Sequence, residues 1–447
     1  MAPVQPLDLE PGHRISIYSV TSTTMSAHTY PEKHSLTKEV EKGQADEEYP
    51  DGGWRAWLTV LGAFFALFCT FGQLSSFGTF QSWYSEHQLQ DLSPSTISWI
   101  GSLQLWVFFF SGGFVGRFFD VYGPRVIMIP GTLVLVVSIM ITSVCQRYYE
   151  YILAQGILFG LGVGMLFYPS LSAVSTHFKK YRATALGIAL SGSGVGGVVY
   201  PTILQRLFII CGYGWGVRIA GFICLLLCAI ACCTVSSRLE RNKTSSPWFD
   251  TKHLRDTRFV LLVIGSMFVS LGLFIPNFYI VSYAVDHGVS TNTAFYVLAV
   301  LNGGGILGRI VPAWLSDALG RFNVLVPAAA CAGLVTLVGW PFAGHGLGGI
   351  MGYAAAYGFF SGAFNALIVP CIAQISDIKQ IGTRIGMLYS ILSFPALAGG
   401  PAAGALLKAA HGSYIGMIIF SGATILFGSF FYLWVRLRID SRPLARV

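Results

Sequence analysis

Two short polar stretches decide the fold of this chain, GRFFDVYGPR at residues 116–125 and LSDALGR at residues 315–321. Each stretch combines an aspartate, a glycine and an arginine within a tight turn, and each separates two long apolar runs. The aspartates, Asp120 and Asp317, lie 317 − 120 = 197 residues apart. A polar turn that returns at this distance predicts two copies of one structural unit in a single chain.

Other features of the apolar runs repeat at nearly the same distance. Pro169 and Pro370 are 370 − 169 = 201 residues apart, and Gly187 and Gly386 are 386 − 187 = 199 residues apart. Such similar offsets predict a duplicated unit of six helices. Parallel repeats about an axis along the membrane normal are a transporter design in which a central site lies between two halves.

The composition indicates an integral membrane protein. Of the 447 residues, 54% are apolar and 11% are charged, and the mean hydropathy is +0.63. An average soluble domain contains about 25% charged residues. These values therefore exclude a soluble enzyme, a disordered protein and a disulfide-stapled secreted module. None of the nine cysteines belongs to a C-x-x-C pair, so a zinc or redox site has no support in the sequence.

Twelve apolar stretches are long enough to cross a membrane, which takes about 20 helical residues. They are apolar on all sides, whereas the strands of a membrane barrel alternate in polarity. We therefore predict an all-α integral membrane protein with twelve transmembrane helices in two pseudo-symmetric six-helix bundles. The predicted spans are 57–79, 96–116, 125–145, 151–174, 183–206, 217–236, 258–283, 293–314, 323–343, 347–371, 383–407 and 413–435.

The polar segments divide the chain into five predicted parts. Residues 1–50 are polar and lack the apolar run of a signal peptide, so we predict a disordered cytosolic N-terminal tail. Residues 51–236 form the predicted N-terminal bundle, and residues 258–436 form the C-terminal bundle. The basic segment 237–257 is the predicted cytosolic linker between them, and residues 437–447 are a cytosolic C-terminal tail.

The distribution of charge explains the net charge of +8. With the N-terminal tail in the cytosol, 28 − 4 = 24 of the 28 lysines and arginines fall on the cytosolic side. The positive-inside rule therefore predicts that both termini are cytosolic. The basic charge indicates a multi-pass protein in a lipid bilayer and not a nucleic-acid partner. We expect the plasma membrane, with the vacuolar membrane as the alternative. The four basic residues near the outer side are Arg147, Arg206, Arg218 and Lys408.

The sequence lacks the usual motifs of catalysis. It contains no H-E-x-x-H, G-x-S-x-G or Walker motif. We therefore predict that the protein is not an enzyme and that it holds no metal and no cofactor. Energy for transport would come from a proton or substrate gradient, because nothing in the chain supports ATP use.

Several motifs resemble those of a known family. The two D-x-x-G-x-R-like turns resemble the signature loop of the major facilitator superfamily. The D-G-G-W stretch at 51–54 resembles the opening motif of its monocarboxylate porter family, and Arg182 followed by the glycines of 187–196 is similar to that family's second signature. The resemblance covers residues 50–436 and implies a twelve-helix transporter. It is to fungal members, which include uptake carriers and exporters in natural-product gene clusters.

The chain departs from the animal lactate carriers of that family. Those carriers have a lysine in helix one and an aspartate one helical turn before an arginine in helix eight. The arginine corresponds to Arg309, but the aspartate position falls on Gly305 and the lysine position falls at or near Ser75. Two of the three groups that couple protons to lactate are therefore missing, which counts against lactate as the substrate.

Arg309 is the first candidate for substrate binding. A charged side chain within a membrane span usually faces a cavity or a partner, and a guanidinium can bind a carboxylate through two hydrogen bonds. The alternative is a structural cation that snorkels or pairs with Asp317. Asn302 lies 309 − 302 = 7 residues away, about two helical turns, so the two share one face.

Other polar and aromatic side chains within the spans are further candidates. Each polar group must find a partner or face water, and the alternative for each is a structural contact between helices. The remaining predicted substrate contacts are Gln73, Gln104, Asn365 and Tyr389.

Four charged residues of the two turns are predicted to control gating. A carboxylate can pair with an arginine or with the N-terminus of a neighbouring helix, and such a contact would hold one conformation and break in the other. The alternative is a charged tight turn that only marks topology. The predicted gating residues are Asp120, Arg125, Asp317 and Arg321.

These features together predict a secondary active transporter that works by alternating access as a monomer. The expected substrate is a small or medium organic molecule, such as an organic anion or a fungal secondary metabolite, and export is favoured. One alternative is proton-coupled uptake of a monocarboxylate or vitamin-like solute, so protons stay open as a second partner. Another is a non-transporting nutrient sensor on a transporter scaffold.

Overall fold

The computed structural model describes residues 51–238, 255–344, 346–442 and 445–446. The predictions for the tail 1–50 and for most of the linker lie outside the described residues. Within the described part, every regular element is helical. The membrane-length helices are α1 Trp54–Glu86, α2 Pro94–Tyr122, α3 Pro124–Thr142, α4 Tyr148–His177, α5 182–211, α6 213–234, α7 Thr257–Asp286, α8 Thr291–Leu319, α9 Arg321–Ala343, α10 Leu347–Gln374, α11 Ile381–Ala409 and α12 Ile415–Ile439.

Helices α5 and α6 form one helical run of 53 residues, Arg182–Thr234. At 1.5 Å per residue this run would be about 80 Å long, whereas the hydrocarbon core is about 30 Å thick. The chain reverses at Gly212, where the backbone φ is 75°, and Gly216 consequently packs against Phe208. Within the described residues, eleven apolar helical runs thus supply twelve helices long enough to cross a membrane, the number predicted from the sequence.

The two halves of the chain, α1–α6 and α7–α12, share a helix pattern. Helix α1 is interrupted at Ser76 and α7 at Phe274, and these breaks are 274 − 76 = 198 residues apart. This offset agrees with the 197 residues between Asp120 and Asp317. The duplication predicted from the sequence is therefore present in the fold.

Among the described residues, the two halves meet mainly along two helix pairs, α2 with α11 and α5 with α8. Glycines allow the backbones to touch: a Cβ at Gly116 would overlap the carbonyl group of Gly382, and a Cβ at Gly187 would overlap the carbonyl oxygen of Arg309. Small residues at helix contacts are typical of membrane proteins, where close backbone packing drives association. These glycines place the polar turns of one half directly against helix ends of the other.

Candidate functional site

Asp120 in the first polar turn binds a helix of the opposite half. Its carboxylate accepts hydrogen bonds from the backbone N–H of Gly382 (3.0 Å), from the backbone N–H of Thr383 (2.7 Å) and from the Thr383 hydroxyl (2.6 Å). Both partners lie in the first turn of α11, where backbone N–H groups have no partner within the helix. Asp120 therefore caps α11 across the boundary between the halves, with its charge at the positive end of the helix.

Asp317 in the second polar turn makes the equivalent contact with α5. It accepts hydrogen bonds from the backbone N–H of Ala183 (3.1 Å), from the backbone N–H of Thr184 (2.8 Å) and from the Thr184 hydroxyl (2.7 Å). The two threonines are 383 − 184 = 199 residues apart, so the contacts are related by the duplication. We term them the α11 latch and the α5 latch, and the side of the protein on which they lie the latch face.

The two predicted gating arginines differ in their contacts. Arg321 donates a hydrogen bond of 2.7 Å to the Lys179 carbonyl of the opposite half and lies 3.8 Å from Asp317. Arg125 instead donates to the Cys233 carbonyl (3.2 Å) within its own half. The structure brings Arg321 to the α5 latch and leaves Arg125 outside both latches. At each latch a helix N-terminus supplies the hydrogen bonds to the carboxylate, and at Asp317 the guanidinium of Arg321 lies nearby as well.

The two threonines that donate hydrogen bonds to the latch aspartates were not predicted from the sequence. Thr184 and Thr383 each stand in the first turn of a helix, where a hydroxyl can assist capping. The available signal was their spacing of 199 residues, which matches the spacing of Gly187 and Gly386. Only the fold shows that each threonine lies opposite an aspartate of the other half.

Contacts between the halves continue from the α11 latch toward the membrane centre. The ring of Phe109 stacks on Tyr389 with centroids 5.6 Å apart, and the Trp106 ring lies 6.4 Å from Phe394. These contacts between α2 and α11 extend from Asp120 to Trp106, which is about 21 Å along α2. Tyr389 is therefore buried at the boundary between the halves, where it was predicted to contact substrate.

Arg309 lies on α8 at the boundary with α5. It is half-buried overall, and its Nε and Nη1 atoms are fully buried with no hydrogen-bond partner among the described residues. Asp317 is engaged by α5 and by Arg321, so the alternative of an Arg309–Asp317 pair is not what the structure shows. An uncompensated buried charge is strongly destabilising. Arg309 is thus the strongest candidate for binding an anion among the residues that the structure describes.

Asn302 lies on the same face of α8 as Arg309. A Cβ placed on Gly197 of α5 would lie 3.2 Å from the Asn302 side-chain oxygen, and a Cβ placed on Gly194 would lie 2.5 Å from Arg309 Nη1. Both side chains therefore face one glycine stripe, which confirms the prediction that they share a face. The Asn302 amide nitrogen donates to the Leu298 carbonyl (3.1 Å), which fixes its orientation.

Gly305 occupies the position one turn before Arg309. A Cβ at Gly305 would lie 3.1 Å from Arg309 Nη1. A carboxylate at this position would therefore bind the guanidinium from within the same helix, as an (i, i+4) pair. The glycine instead leaves the guanidinium without an internal anion. Gly305, where the animal lactate carriers have an aspartate, therefore lies directly beside the candidate site.

Gln73 and Gln104 lie inside the first half and away from α8. They are 4% and 2% exposed, and they line a small cavity together with Gln155 and Thr142. Gln73 donates a hydrogen bond to the Cys224 sulfur (3.1 Å) on α6. Helices α1 and α2 turn these amides toward helices of their own half, so the structure does not bring them to Arg309. Their assignment as substrate contacts stays a prediction that this geometry does not support.

Replacing Gln104 with leucine is expected to leave transport unchanged. The Gln104 Oε1 atom has no hydrogen-bond partner among the described residues, and an unsatisfied buried polar atom costs about 1–3 kcal/mol. Leucine has a similar volume and removes this atom, so the melting temperature of Gln104→Leu should equal or exceed that of the wild type. Thermal unfolding and flux assays check both expectations. A marked loss of apparent substrate affinity with normal stability would instead restore Gln104 as a substrate contact.

Asn365 is the last of the predicted contacts. It is half-buried on α10, the helix that packs closely on α8 through Gly358 and Gly362. A Cβ at Gly362 would lie 2.6 Å from the carbonyl oxygen of Gly305. Asn365 is therefore on the helix next to the Arg309 face, and its contact with substrate stays a prediction.

Comparison with known proteins gives a consistent picture. The profile of the Major Facilitator Superfamily matches residues 63–349. An MFS-type transporter from Gibberella moniliformis is 40% identical over 400 residues, which cover 89% of this chain and 94% of the relative. The aspyridones efflux protein apdF from Emericella nidulans is 38% identical, with 87% and 79% covered. The agnestins efflux protein AgnL12 from Paecilomyces divaricatus is 39% identical, with 88% and 90% covered.

A solved transporter structure has the same fold. The E. coli fucose:proton symporter FucP matches with a TM-score of 0.66 at 14% sequence identity, over 85% of this chain and 98% of that chain. At this identity the likeness concerns the fold alone. These comparisons identify the superfamily, and they do not assign the chain to the monocarboxylate porter family within it.

Proposed function

The chain belongs to the major facilitator superfamily and is a multi-pass membrane transporter, and on this premise we propose that it exports an acidic organic molecule by alternating access. The observation that carries the proposal is the Arg309 guanidinium at the boundary between the halves, whose Nε and Nη1 atoms are buried with no hydrogen-bond partner among the described residues. An ionisable side chain in a membrane span usually marks a substrate or ion pathway. A substrate anion would supply the missing charge.

The chemistry of Arg309 defines the proposed substrate class. Its planar guanidinium matches a carboxylate or a similar planar anion, and Asn302 adds a neutral polar group two turns away on the same face. Gly305 keeps the guanidinium free of an internal acid, so the charge of the substrate itself would complete the site. We therefore propose a compound with one delocalised anionic group, such as an acidic secondary metabolite.

The relatives support the direction of transport. Two of them are named efflux proteins, for aspyridones and for agnestins, and both are similar to this chain over most of its length. The absence of the acidic group at Gly305 and of the lysine near Ser75 counts against proton–lactate symport of the animal kind. Export of a metabolite is therefore our proposal, with gradient-driven uptake of a carboxylate as the competing outcome of the test.

The charge distribution supports an orientation for the structure. We propose that the latch face is cytosolic, since basic residues concentrate near both polar turns. The latches would then close the cytosolic side, and the structure would represent the outward-facing state. We further propose a plasma-membrane location and a monomeric unit, because the two halves of one chain enclose the candidate site.

The direct test compares small molecules inside and outside cells that carry or lack the gene. We expect one acidic compound to accumulate inside the deletion strain and to return to normal when wild-type protein is restored. The matched control is restoration with Arg309→Ala, which should be present in the membrane yet fail to lower the compound. Depletion of a compound inside the deletion strain would indicate uptake. Unchanged metabolite levels under conditions of gene expression would contradict export of an endogenous compound.

A further inference from the structure

The start of helix α5 is held by a second aspartate, which belongs to its own half. Asp51 lies three residues before α1 (54 − 51 = 3). Its Oδ1 atom accepts hydrogen bonds from the backbone N–H groups of Lys179 and Lys180, the latter at 2.7 Å. These lysines lie three and two residues before α5, whose first turn is capped by Asp317. An aspartate of each half thus contacts the start of α5: Asp51 binds the loop that precedes the helix, and Asp317 binds the first turn.

The Lys179 peptide connects Asp51 to the boundary between the halves. Its N–H group donates to Asp51, and its carbonyl accepts the 2.7 Å hydrogen bond from Arg321 of the opposite half. Asp51 therefore holds the loop that Arg321 contacts and that leads into the first turn of α5, which Asp317 caps. The turn that aims Asp51 at this loop uses Gly52 and Gly53, with φ of 125° and 99°, values that other residues rarely adopt.

The start of helix α11 has a corresponding arrangement. Asp256, the residue before α7, accepts a hydrogen bond of 3.0 Å from Arg384 through Oδ2. Arg384 follows Thr383 of the α11 latch and also donates to the Ile375 carbonyl (2.9 Å) at the end of α10. The other Asp256 oxygen, Oδ1, accepts from the Arg258 N–H (3.1 Å) and so caps α7. An aspartate just before the first helix of each half thus contacts the loop before α5 in one half and Arg384 at the start of α11 in the other.

We propose that Asp51 and Asp256 are positioning residues of the transport cycle: they hold the first turns of α5 and α11 where Asp317 and Asp120 cap them. Neither aspartate contacts Arg309 or Asn302 among the described contacts, so their effect would fall on latch formation and not on substrate recognition. The D-G-G-W stretch at 51–54 would then support the α5 latch. Both aspartates would act on conformational change alone, whatever the substrate and the direction of transport.

Hydrogen–deuterium exchange of the full-length protein in lipid nanodiscs tests this proposal without substrate. Asp51→Ala should raise the exchange of peptides covering 182–186 and, in the opposite half, 316–321 by about ten-fold, the loss expected for a charge-assisted hydrogen bond. Asp256→Ala should likewise raise the exchange of peptides covering 381–385 and, in the opposite half, 116–125. The control is Asp440→Ala, because Asp440 lies outside α12 and pairs locally with Arg442.

An asparagine variant separates positioning from charge. At Asp51 a single oxygen, Oδ1, accepts both hydrogen bonds, so the amide oxygen of Asp51→Asn can take its place. Exchange in this variant should stay within about two-fold of the wild type. At Asp256 both oxygens are used, so Asp256→Asn should behave like the alanine variant.

The proposal would be overturned by a change in exchange that is confined to the loop before the helix. If Asp51→Ala raises exchange only at 178–181 and leaves 182–186 and 316–321 as in the wild type, Asp51 holds a loop and positions nothing. If Asp51→Ala does not assemble, Asp256→Ala decides by the same comparison at α11. Exchange that rises equally in all helices, α12 included, would indicate general destabilisation and would also contradict a positioning role.

Discussion

Replacing Arg309 with alanine is expected to lower transport of the anionic substrate by about 100-fold or more, since losing a buried, hydrogen-bonded charge partner costs about 3–5 kcal/mol. The measurement is the initial rate of substrate flux in vesicles as a function of concentration. The loss should appear chiefly as weaker apparent affinity, because the guanidinium binds the anionic group of the substrate. Full transport with unchanged affinity in Arg309→Ala would remove Arg309 from the substrate site.

Two matched variants sharpen this test. Arg309→Lys keeps the charge but loses the planar pair of donors, so it should recover part of the transport. Gly305→Asp places a carboxylate beside Arg309 Nη1, given the 3.1 Å separation from a Cβ at that position. This internal acid should compete with the substrate and weaken binding by about ten-fold, as expected for a coupling of roughly 1.4 kcal/mol. In an Arg309→Ala background the same Gly305→Asp change should have little further effect.

Stability measurements can distinguish loss of substrate binding from loss of folded protein in these variants. Nε and Nη1 of Arg309 are buried and have no partner in the described part of the chain, so the cation itself destabilises the substrate-free protein. The melting temperature of Arg309→Ala should therefore match or exceed that of the wild type. A variant that loses transport and also melts much lower would indicate a structural role for the arginine.

The fold could be predicted from the sequence because helix count depends on local apolar length. The runs of about 20 apolar residues were visible directly, and the repeated turns indicated duplication. Helix ends were less predictable. The spans 183–206 and 217–236 left a ten-residue connection, whereas the structure continues the helices to a single break at Gly212. Residues 207–211 (LFIIC) are themselves apolar, so hydropathy alone does not mark where α5 ends, and the break at Gly212 is set by its backbone conformation.

The candidate site was predictable only in part, because side-chain direction in an apolar helix is not encoded by a simple period. Arg309 and Asn302 stood out as costly polar groups seven residues apart, and the structure places them on one face. Gln73 and Gln104 stood out for the same reason, yet the fold turns both into their own half. A helix that is apolar all round shows no preferred face, so only the packing decides which polar group reaches the boundary between the halves.

Neutralising the latch aspartates is expected to open the latch face. Each carboxylate uses both oxygens to accept three hydrogen bonds. Asparagine offers one acceptor and turns an NH₂ group toward a backbone N–H, so Asp120→Asn should weaken its latch by about 1–3 kcal/mol. This equals a shift of roughly 5- to 150-fold toward the open state. Asp317→Asn should have a similar effect, since its contacts are equivalent.

Distance measurements between spin labels can detect this opening. Tyr122 and Lys379 are exposed on either side of the α11 latch and suit labelling, after the exposed Cys211 and Cys233 have been replaced by serine. The long-distance population should grow in Asp120→Asn. It should also grow in Asp317→Asn, although Asp317 lies at the other latch, because rigid halves that rock together must open both latches at once. Growth confined to the mutated latch would contradict rigid-body movement.

The two turn arginines supply the comparison that separates a latch from a charged turn. Arg321→Gln removes a hydrogen bond to Lys179 of the opposite half, so it should shift the label distances in the same direction as Asp317→Asn. Arg125→Gln removes a hydrogen bond to Cys233 within one half and should leave the distances unchanged. If the turns mattered only for their positive charge and topology, the two substitutions would act alike. Unequal effects would show that gating follows contacts across the boundary, which the duplicated sequence could not distinguish.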